Sequence, residues 1–138
     1  ISLDVAASLH LDAVRISRTP LFTAFAGMGQ LIGRLGLFTL SELSLWKAKR
    51  RHFRVPEHFE GIVAGEAVHE GHFLHILKDL RPGTTEVMMH PGTDNSRLIP
   101  ACDWEHDFEA EMQAIVSPKV RRMIADKAVK VVNYRDLK

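Results

Sequence analysis

Thr84-Thr85-Glu86-Val87-Met88-Met89-His90-Pro91-Gly92 is the stretch on which the fold of this chain turns. β-branched and long apolar residues run up to a Pro-Gly pair, the pattern of a strand over 84–90 ended by a sharp turn. Side chains alternate along a strand, so Glu86, Met88 and His90 share one face. Just upstream, Glu66 to Leu80 has helical spacing and is closed by Arg81-Pro82-Gly83. Downstream, a polar loop over Pro91–Asp103 leads to a helix over Trp104–Ile115, opened by Asp103. Strands set between helices make βα units and a parallel sheet. In such folds chemistry gathers at the C-terminal ends of strands, where His90 falls. An imidazole with a pKa of about 6.5 can hand over a proton at neutral pH. A hydrogen-bonded histidine with a purely structural role is the competing reading of the same position.

The same pattern extends outward in both directions. Leu3–Leu9 reads as a helix end and Leu11–Ser17 as a short strand carrying Arg15. Thr19-Pro20 reads as a helix start, and 21–37 as an apolar helix broken by Gly27, Gly29, Gly33 and Gly36. Ser41 is a plausible cap for a helix to Arg51 with Leu40, Leu43, Leu45 and Trp46 on its apolar side. Phe53–Val63, with Pro56 and Gly61, reads as strand plus loop. Ser117-Pro118 starts another helix, and Ala128–Tyr134 is the last strand. The expectation is one α/β domain over residues 1–138, with three to four mostly parallel strands and flanking helices. A closed eight-stranded barrel takes about 250 residues, so 138 residues read as part of one.

Composition narrows the function classes. Eighteen Lys and Arg against 17 Asp and Glu leave a net charge of +1, which argues against a partner bound through phosphates. The most basic run, Lys47-Ala48-Lys49-Arg50-Arg51-His52, is the kind of cationic helix end that complements the helix dipole. No apolar run reaches the roughly 18 residues of a membrane span. One cysteine, Cys102, permits no internal disulfide and fits a reducing cytoplasm. A start at Ile1, without Met or a basic leader, suggests a trimmed or processed chain.

Four segments in one order resemble a known family. Glu86-Val87-Met88-Met89-His90-Pro91-Gly92 resembles the His-Pro-Gly strand of the YdjC/ChbG carbohydrate deacetylases. Val55-Pro56-Glu57-His58-Phe59-Glu60-Gly61 resembles that family's Pro-Asp-His-Phe segment, and Ala13-Val14-Arg15-Ile16 its Arg-bearing strand. Phe108-Glu109-Ala110-Glu111 through Ser117-Pro118, with Asn133-Tyr134-Arg135-Asp136-Leu137, resembles its closing helices and last strand. The resemblance implies a partial, distorted βα barrel of the polysaccharide-deacetylase type. It also implies removal of N-acetyl groups from an amino sugar such as an N-acetylglucosamine oligomer. His90 then becomes the acid that protonates the departing amine, and Arg15 a group near the substrate or the catalytic carboxylate. His58, Phe59, Pro91 and Gly92 become substrate-contact positions.

The departures from the family are equally specific. The resemblance implies a divalent metal, Mg or Zn, held by an Asp of an Asp-Asp pair and two His of a His-rich motif. Neither motif occurs in these residues, and counting back from the strand near Leu11 places them before Ile1. The expectation is that this chain binds no metal and is inactive alone. Asp103-Trp104-Glu105-His106-Asp107 stands where the family has a Tyr and an Arg. A barrel left open exposes strand edges, so a homodimer is expected. The alternative is a non-catalytic remnant or assembly module of the same fold. A third reading takes His69-Glu70-Gly71-His72-Phe73-Leu74-His75 as a zinc helix, since His69 and His72 stand three apart. The spacing is not His-Glu-x-x-His, and a solvated face is the simpler account.

Overall fold

The structure, a computed structural model, describes residues 2–17, 28–61 and 67–137. Its elements are helices α1 (Ser2–Ser8) and α2 (Met28–Arg50), strand β1 (His58–Glu60), helix α3 (Glu70–Lys78) and strand β2 (Thr85–Val87). Helices α4 (Asn95–Cys102), α5 (Phe108–Val116) and α6 (Pro118–Asp126) and a 3₁₀ turn at Tyr134–Asp136 complete the chain. The fold is α/β and helix-rich. β1 and β2 form a two-stranded sheet, and their bonds run in step, His58 N to Thr84 O and Met88 N to Glu60 O, so the strands are parallel.

Contacts divide the chain into two compact units. The first comprises Ile1–Phe59, Gly83–Glu86 and Val132–Lys138. Its core is Ala6, Ala48 and Phe53, packed by Leu3, Val14, Ile16 and Val55. The second comprises Glu60–Pro82 and Val87–Val131, in which α3 packs on α5 and α6, and α4 on α5. Val68, Leu77, Phe108, Ala114 and Val120 are buried there. Ser117 caps α6 as its Ser-Pro sequence predicts, its hydroxyl accepting from Lys119 N and Val120 N.

Several elements differ from the sequence expectation. Leu11–Ser17 forms no strand; Ala13 makes a single parallel bridge with Arg54, and Val14 and Ile16 serve the core instead. Two strands stand among the described residues in place of three to four. Ala128–Tyr134 forms no ladder, because Val131 is 76% exposed and the run ends in a 3₁₀ turn boxed by Asn133 and Asp136. Ser41 lies inside α2 rather than capping it, and its hydroxyl donates to Ser17 O at 2.8 Å. The expected start at Thr19-Pro20 lies outside the described residues. The loop after Gly92 contains α4, capped by Asp94, and Asp103 closes α4 in a left-handed conformation instead of opening α5. Asp107 opens α5.

Candidate functional site

The site grows from one buried carboxylate. α5 places Glu111 on the same side as Phe108 and Ala114, three residues either way, so it points inward and is 1% exposed. A carboxylate there must be hydrogen-bonded. Val68 N–H donates to its Oε1 at 2.9 Å, and His90 N–H donates to its Oε2. Glu111 thereby ties the segment before α3 and the turn after β2 to one helix.

That turn is held tightly. Gly92 N–H donates to Phe108 O at 2.9 Å. A β-carbon at Gly92 would stand 2.3 Å from Leu98 Cδ1 and 2.9 Å from Phe108 Cβ, so a larger residue would push Leu98 and Phe108 out of place. Gly61 is constrained differently: with φ +98 it lies where a β-carbon would meet Met88 O at 2.2 Å. Strand β2 ends at Val87, so His90 sits in the turn, three residues beyond the ladder.

Rings surround His90. Its imidazole meets Trp104 edge-on at 5.1 Å and His106 edge-on at 5.4 Å, while Trp104 and His106 stack at 4.1 Å. Phe108 closes against both. His106 is 6% exposed, and neither ring nitrogen has a hydrogen-bond partner, although Nε2 lies 3.1 Å from Glu111 Oε1. One ligand atom each from His90, His106 and Glu111 falls within 4.8 Å of the others. These are the described residues that converge as a metal would require; they are not the Asp and His set that the family resemblance implies.

Asp107 anchors the helix that carries the site. It accepts from Ala110 N at 3.0 Å and from Asn95 Nδ2 at 2.8 Å. The Asn95 bond, then the Ala110 amide, hold its carboxyl below the usual range. Asn95 and Glu109 exchange a reciprocal pair, Asn95 N–H to Glu109 Oε1 and Glu109 N–H to Asn95 Oδ1, fixing α4 to α5.

In the other unit Arg15 has a different setting. Its guanidinium pairs with Glu86, whose second oxygen accepts from the Tyr134 hydroxyl. Burial first, and then Glu86, push the Tyr134 phenol up to about 12. Half of the Arg15 side chain remains exposed. His58 opens β1, half-buried, and Phe59 is buried at its centre, 7% exposed. The zinc-helix reading concerns α3, back in the second unit. His69 caps α3, its Nδ1 accepting from His72 N, the two rings stack at 4.1 Å, and His75 pairs with Asp79.

Sequence reasoning missed Glu111, His106 and Trp104 as a group. The available signal was a glutamate at an apolar-periodic helix position between Phe108 and Ala114, where a carboxylate needs partners from elsewhere. No curated protein and no solved structure matches the chain significantly. The sequence profile of the YdjC-like proteins matches residues 1–126. With the match covering most of its length, the chain belongs to the YdjC-like family, and a carbohydrate-deacetylase-like role comes with that membership.

Proposed function

We propose that these residues are the C-terminal part of a metal-dependent deacetylase that hydrolyses the N-acetyl group of chitooligosaccharide-like amino sugars. In this reading the chain is one domain, a portion of a distorted βα barrel. The observation that carries the reading is His90: a partly exposed imidazole just past a parallel strand, its backbone tethered to Glu111 and its ring fixed by Trp104 and His106. Amide hydrolysis requires a proton on the departing nitrogen, and a positioned histidine supplies it. The metal, when held by the Asp and His ligands that family resemblance implies, polarises the acetyl carbonyl and activates water. The motifs for those ligands do not occur in these residues, so no step is assigned through the metal here.

Arg15 spends part of its guanidinium on Glu86 and has further N–H donors for a sugar hydroxyl. Pro91, Gly92 and His58 are proposed substrate contacts, with Phe59 backing His58 from the core. Among the described residues no helix is long and apolar enough to cross a membrane. We place the chain in the cytoplasm, as a homodimer paired through an open sheet edge.

The test is acetate release from N-acetylglucosamine oligomers. The 138-residue chain is expected to release none, and the chain joined to a segment bearing the Asp-Asp and His-rich motifs to release it in a chelator-sensitive way. Turnover by the chain alone, or none by the joined protein, would overturn the reading.

A further inference from the structure

His106 is the least explained polar group among the described residues. A neutral imidazole has one donor and one acceptor, and leaving either buried without a partner costs about 1–3 kcal/mol. Here both nitrogens are buried and neither makes a hydrogen bond, although Nε2 stands at ion-pair distance, 3.1 Å, from a Glu111 carboxylate oxygen. Two ligand atoms on one tetrahedral zinc, each at about 2.0–2.1 Å, stand roughly 3.3 Å apart. The His106–Glu111 separation is close to that spacing, and a His90 nitrogen is within 4.8 Å of both.

The surroundings suit a cation. Each oxygen of Glu111 accepts one backbone N–H and keeps a second lone pair, so the carboxylate can ligate without giving up its tethers. Those amides orient it as outer-shell donors orient metal ligands. Trp104 stacked on His106, with Phe108 at its edge, supplies an apolar wall. Two imidazoles and one carboxylate favour zinc over Mg or Ca, which take oxygen ligands.

We infer that His90, His106 and Glu111 form a binding site for a zinc-class divalent cation, with a fourth position open to water. The site is distinct from the ligand set that the family resemblance implies. Because a cation on either His90 nitrogen excludes the doubly protonated imidazolium, which is the acid form, loading this site would silence His90 as an acid. That corollary rests on the proposed function; cation binding does not.

The experiment is zinc titration of the chelator-stripped 138-residue chain by calorimetry, with visible absorption of a cobalt-substituted sample reporting four-coordination. One equivalent is expected. His106→Phe preserves the ring stack and should weaken binding by more than about 100-fold, beyond the loss typical of outer-shell changes. His90→Ala, at a less buried position, should do the same and carries the test if His106→Phe does not fold by circular dichroism. His72→Ala should bind as the parent does. No binding by the parent, unchanged binding by the folded ligand variants, or loss of binding in His72→Ala would overturn the inference.

Discussion

Glu111 and Glu86 are both carboxylates drawn inward, one in each compact unit, and they are held by opposite means. Glu111 is almost fully buried and takes its hydrogen bonds from two backbone amides, which cannot swing away. Glu86 is held by the half-exposed guanidinium of Arg15 and by the hydroxyl of Tyr134, both on side chains that can rotate. Breaking the first leaves buried N–H groups orphaned, whereas breaking the second lets water replace a partner. Glu111 is therefore framework, fixing where the His90 turn lies. Glu86 is an adjustable electrostatic contact whose effect is felt by Arg15 and Tyr134.

The largest expected effect follows from Glu111→Leu. It strips the acceptors from Val68 N–H and His90 N–H, at about 1–3 kcal/mol for each unsatisfied group. Chemical denaturation should show a loss of about 2–6 kcal/mol, while Glu86→Leu should cost well under half as much. Equal losses would break the distinction between the two carboxylates.

Glu86→Gln probes the adjustable side. Tyr134 is the one tyrosine in the chain, so tyrosinate absorbance titrates it alone. Its pKa should fall from about 12 toward the ordinary 10.0, stopping short because burial still raises it. Since the folded value lies above the unfolded one, this group contributes stability that is fully present below pH 10 and lost as pH rises toward 12. Glu86→Gln should narrow that alkaline loss. An unchanged titration would mean that Glu86 does not face the phenol in solution.

The smallest effect concerns the cap beneath Glu111. Asp107→Ala should cost about 1 kcal/mol, the usual value of a lost N-cap. Because the Asp107 carboxyl is held below its ordinary value of 3.8, its contribution is present above that pH and is lost as pH falls below it. The variant should therefore differ from the parent at pH 7 and converge with it in acid. A gap that persists to the lowest pH would assign the loss to something other than the ionised cap.

The parts legible in the sequence were those encoded locally. Ser117-Pro118 announces α6, Pro82-Gly83 closes the region of α3, and alternation around Glu86 marks β2. Length was harder to read. The run of apolar residues through Met89 suggested a strand to His90, but ladder pairing stops at Val87, where Gly61 gives the partner strand a left-handed turn. Ala128–Tyr134 has strand composition but no ladder partner among the described residues, which composition cannot reveal. His90 was legible because a Pro-Gly turn follows it. His106 and Glu111 were not, because their meaning depends on partners 16 and 21 residues away from them, brought in by α5.

The most direct test of the account uses a YdjC-like deacetylase that carries the metal motifs together with this Glu-Val-Met-Met-His-Pro-Gly segment. Turnover of an N-acetyl amide and of an activated acetyl ester would be measured for the parent and for His90→Ala, with metal content determined alongside. If His90 protonates the leaving amine, amide turnover should fall by about 10²–10⁴-fold. Ester turnover should fall far less, since its leaving group needs no proton, and metal at the family ligands should stay near parent level. Equal losses on amide and ester, or loss of that metal with the imidazole, would contradict the assignment of His90 as the acid.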